Sequence, residues 1–347
     1  MFQPVDSALY EELARKVASL RRPEAFPEPT DTVETVETHM AWVFLTNTRA
    51  YKLKKPLHTR YFDHTTPQAR RHACNIELEL NRRLAPHVYM AVVPVSKAAG
   101  GFRVDGGIPV DWMVKMQRLP RSRVLERLIE SGQATDDHID AVSHRLARFY
   151  RNADSADFSP IGYRRRLQED IDAKTLTLRH PRYGLDPAVI DETAARSHRW
   201  LDEHVHLIEE RAATVVDAHG DLRPEHIFML DGNPVIIDCL EFERSLRLLD
   251  PVSELSFLAL ECDRLDAEWV GHHLLNGYRN HSDDRFPTEI IPFYKAYHAL
   301  IRATVAIWHI DDEMLDESDK WRRKATSYLR TATAILSAGS PASSSAP

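Results

Sequence analysis

Between residues 217 and 243 the chain reads DAHGDLRPEHIFMLDGNPVIIDCLEFE, which sets His219, Asp221, His226 and Asp238 around two short apolar runs. HIFML and PVIID flank Asp231-Gly232-Asn233. An Asp-Gly turn between apolar runs is a hairpin signal, because both turn positions need left-handed backbone. Asp221 before the hairpin and Asp238 at its end are therefore expected at one edge. Two carboxylates in that relation suit phosphoryl transfer: one accepts the proton of an attacking hydroxyl, and the other holds a magnesium ion that neutralises phosphate charge. His226, shortly after Asp221, falls close to both. His219 reads as structural, tying the loop through hydrogen bonds.

Such chemistry needs a nucleotide site, and the first third of the chain offers elements for one. Residues 5–21 read as a helix, because Leu9, Leu13, Val17 and Leu20 recur at helical spacing and Asp6 and Ser7 suit its start. PEAFPEPT ends it. From residue 33 to 55 the pattern changes to strands, with MAWVFLT, the turn NTR and AYKLKK making a hairpin closed by Pro56. A helix is predicted over 66–84, then strands in YMAVVPVSKAA, GFRVD and WMVKMQRL. Side chains alternate along a strand, so Ala50, Lys52 and Lys54 share one face and Tyr51, Leu53 and Lys55 the other. A solvated, lysine-rich edge strand is the alternative reading of these lysines. Beyond Pro120 helical periodicity dominates, at 124–131, 136–152, 187–213, 251–260, 266–279 and 293–310. The fold class is α+β, a small β-rich lobe followed by a larger α-rich lobe. The expected boundaries are a helical extension at 1–28, an N-lobe at 29–119, a C-lobe at 120–337 and a disordered Ser/Ala/Pro tail at 338–347.

HGDLRPEH and IID resemble the His-Gly-Asp-Leu catalytic loop and the metal-binding Asp of the aminoglycoside phosphotransferase family, whose fold is bilobal and protein-kinase-like. ETHMAWVFL, AYKLKKP, ELNRRLAP, HGDLRPEH and LDPVSELSFLALEC look more closely like a bacterial phosphotransferase module sometimes fused to a P-loop kinase domain. That likeness runs from Val33 to Ile310, and no GxxxxGK[ST] occurs in the 347 residues. The resemblance implies Asp221 as catalytic base, Asp238 as magnesium ligand and Arg223 facing the transferred phosphate. It implies ATP as donor, with GTP as the alternative, and Mg2+, with Mn2+ as the alternative. Ala50-Tyr51-Lys52 resembles the Ala-x-Lys of the kinase third strand, so Lys52 would reach the α- and β-phosphates. Of Glu77 and Glu79 on the predicted helix, the family's Glu seven residues before a Leu picks Glu77, with Leu84 as that Leu. Residues 113–119 would be the strand and hinge along the adenine edge, Met116 among them. VETHMAW stands where protein kinases have a glycine-rich loop, and Thr38 or His39 would donate to phosphate oxygens there. One departure is His226, where both larger families carry Asn as second metal ligand. An imidazole there binds manganese in preference to magnesium, holds a metal-bound water, or stays out of the shell. Asp250 either caps a helix starting at Pro251 or supports the catalytic loop.

Composition narrows the class. At 347 residues, 43% hydrophobic and 28% charged, the chain reads as globular, with room for two lobes and a buried core. No run of about 18 apolar residues occurs, and the first thirty lack an apolar signal core, so the expected location is cytoplasmic with no membrane partner. Cys74, Cys239 and Cys262 lie far apart without a CxxC pair, which suggests neither a disulfide framework nor a zinc knuckle. A formal net charge of -7 argues against a nucleic-acid surface, and RRRL at 164–167 reads as a solvated helix face. For the acceptor, Glu241, Glu243, Glu261, Asp263, Asp266, Asp311 and Asp312 offer carboxylates suited to an amino-sugar or amino alcohol, with a sugar or polyol equally open. The function read from all this is phosphoryl transfer from ATP to a hydroxyl of a small molecule. The alternative is a nucleotide-binding regulatory module with little turnover, motivated by His226 and the missing glycine-rich loop and opposed by the intact Asp221 and Asp238. A protein-serine kinase is disfavoured, because no Ala-Pro-Glu follows Asp238. Oligomeric state is not legible in the pattern.

Overall fold

The computed structural model describes residues 6–311 and 318–338. The chain divides into two units. One holds the residues up to Arg127 with His226–Asp231 and Val235–Ser245; the other holds Leu128–Glu225, Gly232–Pro234 and the residues from Leu246.

The first unit is built on six antiparallel strands: β1 (Glu34–Glu37), β2 (Ala41–Leu45), β3 (Arg49–Lys54), β4 (Tyr89–Ala98), β5 (Gly101–Val104) and β6 (Ile108–Gln117). Their order is β1-β2-β3-β6-β4-β5. β3 is thus interior, not an edge: Lys52 lies opposite Val43 of β2 and Val114 of β6. Strand alternation sorts its side chains. Tyr51 and Leu53 join Phe44, Val95 and Met113 in a cluster closed by Leu13, Val17 and Leu20 of helix α1 (Ser7–Leu20). Ala50 joins Val114, Met116 and Tyr89 on the opposite face, closed by Cys74 of helix α2 (Pro67–Arg82). Both helices start where cap chemistry directs, Asp6 accepting from Ala8 N at 2.9 Å and Thr66 from Ala69 N at 3.2 Å. A buried ionic group ties α1 and α2 to the sheet: Asp111 of β6 accepts from Lys16 Nζ at 2.7 Å and from Arg70 Nε and Nη2 at 2.8 and 2.7 Å.

The second unit is helical. Helix α3 (Leu125–Glu130) leads into α4 (Asp136–Asn152), α5 (Pro160–Leu178), α6 (Pro187–Glu203), α7 (Val205–Glu210), α8 (Pro251–Asp263), α9 (Glu268–His281), α10 (Ile290–Trp308) and α11 (Ser318–Ala338). Residues 251–260 of α8 are all buried, as an apolar helix at the centre of a bundle must be. Gly271 of α9 lets the two helices touch, since a Cβ there would lie 2.7 Å from that of Ala259. The short strands β7 (Val216–Asp217) and β10 (Leu248–Leu249) pair with each other. β8 (Ile227–Leu230), which belongs to the first unit, forms a hairpin with β9 (Asn233–Ile236), turning through Asp231 and Gly232 at φ 48° and 79°, as the Asp-Gly signal requires.

Two helices escape the periodicity. α5 carries PIGYRRRLQEDIDAKTLTL and buries only Tyr163, Leu167, Ile171 and Leu178, so its charges mask the apolar stripe. α11 likewise buries a thin line, Ala325, Tyr328, Leu329, Ala332 and Leu336. The helix expected over 187–213 breaks at His204, where φ and ψ are -121° and 35°. Ala338 ends α11, so the expected tail begins inside a helix. The rest of that tail, with Val5 and Asp312, lies outside the described residues. Among the described residues no helix is long and apolar enough to cross a membrane.

Two stability predictions follow from buried charge. Asp111→Asn should lower the unfolding free energy by about 3–5 kcal/mol, read by urea denaturation, because it leaves the buried Arg70 guanidinium without its carboxylate and Lys16 with only Glu12. His64 and His298 are both held at about 3, chiefly by burial and next by a nearby lysine, Lys54 and Lys174 respectively. An unfolded histidine titrates at about 6.5. Between those values the unfolded chain binds protons that the folded chain does not, so stability is complete above about pH 6.5 and falls as pH drops toward about 3. Each histidine contributes a slope of up to about 1.4 kcal/mol per pH unit in that window. His298→Gln should flatten the profile; an unchanged slope would exclude His298 as a contributor.

Candidate active site

In the first unit, helical spacing aligns Arg70, Ala73, Cys74, Glu77 and Asn81 on the buried side of α2, while Glu79 is exposed. Glu77 thereby meets β3. Its Oε1 lies 2.9 Å from Lys52 Nζ and its Oε2 2.6 Å from Lys54 Nζ. Lys52 also reaches Asp238 Oδ1 at 2.6 Å, and Lys54 binds Glu241. Side-chain exposure rises outward through this chain of charges, 0% at Glu77, 14% at Lys52 and 42% at Asp238. Burial opposes the charges of Lys52, Lys54 and Glu77, and their attraction to opposite charges outweighs it. Lys52 is held well above the usual lysine pKa, against burial, by Asp238 and Glu77, and Glu77 is held below the carboxylate range, against burial, by Lys52 and Lys54.

The backbone around Asp238 is pinned on three consecutive amides. Ile237 N donates to His226 O at 2.9 Å, Asp238 N to the Tyr89 hydroxyl at 3.1 Å and Cys239 N to Asn81 Oδ1 at 2.9 Å. Asp238 itself sits at φ 64°, left-handed backbone that costs most side chains strain and that Asp tolerates. His226 Nε2 lies 3.6 Å from Asp238 Oδ2. A magnesium ion beside a nucleotide takes only one or two protein donors and fills its shell with phosphate and water. A partly exposed carboxylate with an imidazole beside it fits that limited role. Among the described residues no group of three or more His, Cys, Asp or Glu forms a fuller cage.

The remaining nucleotide-side candidates lie on the same unit. Met116 is opposite Ala50 and shares its apolar cluster, against which Val43, Leu45 and Ile237 pack. Thr38 and His39 form the turn between β1 and β2. The Thr38 hydroxyl is engaged there, donating to Ala41 O at 2.9 Å and accepting from Ala41 N at 3.0 Å. His39 is half-buried at the tip.

In the second unit the loop carrying Asp221 hangs on a buried carboxylate. Glu254, fully enclosed in α8, accepts from His219 N at 3.1 Å, from Gly220 N at 2.6 Å and from the Tyr150 hydroxyl at 2.8 Å. His219 is buried, and its Nδ1 takes the Asp221 amide at 3.3 Å. Gly220 turns at φ 86°. Asp221 then points a 29% exposed carboxylate at Arg223, whose Nε is 3.0 Å away and which also holds Glu225. Asp250 caps α8 through Val252 N at 3.0 Å and binds Arg211 Nε and Nη2 at 2.8 and 2.6 Å, so holding the loop falls to Glu254 four residues on. The signal for Glu254 was present as a glutamate set in the apolar run PVSELSFLAL.

Five of the acids offered for a cationic acceptor are already engaged. Glu241 binds Lys54, Glu243 accepts from Ser245 N at 2.9 Å, Glu261 takes the Tyr328 hydroxyl at 2.8 Å, Asp263 binds Lys295 at 2.5 Å and Asp311 binds Arg182 at 2.9 Å. Asp266 occupies the left-handed turn after α8 at φ 56°.

Glu254→Gln replaces an acceptor-only group by an amide whose NH2 meets backbone N–H donors. It should lower the unfolding free energy by about 2–4 kcal/mol, one or two charge-assisted hydrogen bonds, read by chemical denaturation. A loss within error of zero would show that the loop does not depend on this carboxylate.

Comparison with known proteins bears on the family and the fold. A family model described as a phosphotransferase enzyme family matches residues 41–283. An uncharacterized protein of Mycobacterium tuberculosis is 32% identical over 286 residues, 79% of this chain and 54% of that protein. The chain therefore spans about half the length of the curated relatives it matches. Among solved structures, a choline/ethanolamine kinase family protein from Mesorhizobium loti superposes with a TM-score of 0.57 at 12% identity, over 93% of this chain and 99% of that one. The GDP complex of wild-type aminoglycoside 2'-phosphotransferase-IIIa gives 0.54 at 13% identity, over 94% and 98%. These likenesses show the protein-kinase-like α+β fold. With the family model covering well over half its length, the chain belongs to the phosphotransferase enzyme family.

Proposed function

We propose that the protein transfers the γ-phosphate of ATP to a hydroxyl of a small molecule of the sugar, amino-sugar or amino-alcohol kind, acting in the cytoplasm. The observation that carries this is the Lys52–Glu77–Asp238 chain of charges, enclosed at one end and open at the other. Buried ion pairs are a weak source of stability. A graded set on a central strand, with its last carboxylate partly in water, is better explained by a ligand that completes it.

In this reading Lys52, oriented by Glu77, holds the α- and β-phosphates, and of the two turn residues His39 donates to phosphate, since the N–H and hydroxyl of Thr38 are both held by Ala41. Met116 and Ala50 line the base. Asp238 and His226 hold the divalent ion, Mg2+ or Mn2+, which supplies neutralisation of phosphate charge. Asp221 accepts the proton of the acceptor hydroxyl, and Arg223, kept in place by Asp221 and Glu225, turns toward the transferred phosphate. The solved 2'-phosphotransferase-IIIa carries GDP, which keeps GTP beside ATP as donor.

Asp221→Asn should lower turnover by on the order of 10²–10⁴ fold while the nucleotide-induced rise in melting temperature persists. Lys52→Ala should abolish that rise. Unchanged turnover in the first variant would remove Asp221 as the base. Nucleotide binding with no turnover across sugars, amino-sugars and amino alcohols would replace the enzyme by a nucleotide-binding module.

A further inference from the structure

The end of α8, the middle of α10 and the middle of α11 bring an excess of cations together. α10 packs on both α8 and α11. From α10, Arg302 extends a side chain only 12% exposed, and its buried Nε has no hydrogen-bond partner. Its nearest carboxylate oxygen, Glu261 Oε1, is 3.7 Å away, too far for a hydrogen bond. Glu261 is itself occupied by the Tyr328 hydroxyl at 2.8 and 3.0 Å. The Arg264 guanidinium lies 4.0 Å from the centre of the Tyr328 ring and that of Arg302 5.9 Å from it. Lys324, half-buried on α11, stands over Trp321 at 5.5 Å.

This grouping differs from the other buried arginine sites of the unit. Arg211 is matched by Asp250 and Asp284, and Arg247 by Asp217. Here Arg302 and Lys324 share Glu261, Arg264 lies across the Tyr328 ring, and Asp221 also acts on Arg302, whose charge the two carboxylates favour against burial and Arg223. Burial, then the charges of Arg302, Arg223 and Arg264, hold the Lys324 ammonium below the usual lysine value, although Glu261 pulls the other way. Like charges gathered in a low-dielectric site repel, and a bound anion relieves them. Arg302 is also within the fields of Arg223 and Asp221, so the grouping lies within electrostatic reach of the proposed base.

We infer that Arg302 and Lys324, with Arg264 behind them, form a binding site for an anionic group, phosphate or carboxylate, carried by the acceptor. The inference rests on the phosphotransferase reading and narrows it: the acceptor is an alcohol that also bears negative charge, and a purely cationic amino alcohol is repelled. An oxyanion takes the free Arg302 Nε–H and the Lys324 ammonium as charge-assisted donors.

The test compares glycerol, glycerol 3-phosphate, glycerate and serinol, which are three-carbon alcohols of similar size and different charge. Calorimetry on the 347-residue chain without nucleotide should show an anionic member binding at least about tenfold more tightly than glycerol, with serinol weakest. Glycerol 3-phosphate against glycerate separates phosphate from carboxylate. Lys324→Met and Arg302→Gln should each weaken that binding about tenfold, and Lys324→Arg should restore it. Equal affinity for all four alcohols, or an unchanged affinity in Lys324→Met, would overturn the inference. So would a fall in basal ATP hydrolysis that matches the fall in transfer, since the cations would then serve the donor's phosphate. Lys324-dependent binding without transfer to any member keeps the anion site and withdraws the phosphotransferase reading. Transfer to serinol alone does the reverse.

Discussion

The first unit depends on Glu77 remaining ionised with none of its side chain in water. A carboxylate so enclosed is tolerable only while two lysines face it, and those lysines occupy alternate positions of the central strand. Helix, strand and the segment around Asp238 are therefore conditions for one another. Remove the helix and Lys52 and Lys54 lose the enclosed carboxylate they share and keep only Asp238 and Glu241. Shift the register of β3 by one residue and Tyr51 and Leu53 turn toward Glu77 while the lysines enter the aromatic cluster around Phe44. The strand order β1-β2-β3-β6-β4-β5 leaves no solvent edge at β3 to absorb such an error.

The second unit solves a related problem with the same residue type. A loop that turns through Gly220 leaves backbone amides without strand partners, and Glu254 supplies the acceptor from inside an otherwise apolar helix. Tyr150 completes its shell from α4. In both units one buried glutamate converts a cost of burial into a constraint on where a more exposed aspartate can stand, Asp238 in the first and Asp221 in the second.

Much of this was legible and some was not, for identifiable reasons. The strands of the first unit and the helices α4, α9 and α10 showed through because their apolar residues recur at a single period, and α8 because it is a nearly continuous apolar run. The α5 and α11 helices did not, because each buries a narrow stripe under a charged surface. Lys52 and Glu77 could be paired from motif spacing, whereas the part of Lys54 and Glu241 could not: two more charges near a charged site carry no pattern of their own. Glu254 stood in plain view in an apolar run but named no partner, since what it binds is backbone. A count of carboxylates in the sequence does not say which groups hold them: Lys54 and Lys295 for Glu241 and Asp263, a backbone amide for Glu243 and a tyrosine hydroxyl for Glu261.

The left-handed backbone at Asp238 bears on how this position can be varied at all. Glycine, asparagine and aspartate adopt that conformation readily; alanine pays roughly 1–2 kcal/mol to do so, and a β-branched residue more. An alanine at this position therefore alters two properties at once, the loss of a carboxylate and the shape of the chain that hangs between the Tyr89 hydroxyl and the Asn81 amide. Asparagine alters one. The range of residues that evolution or a designer can place here is set by the dihedral angle before it is set by any metal.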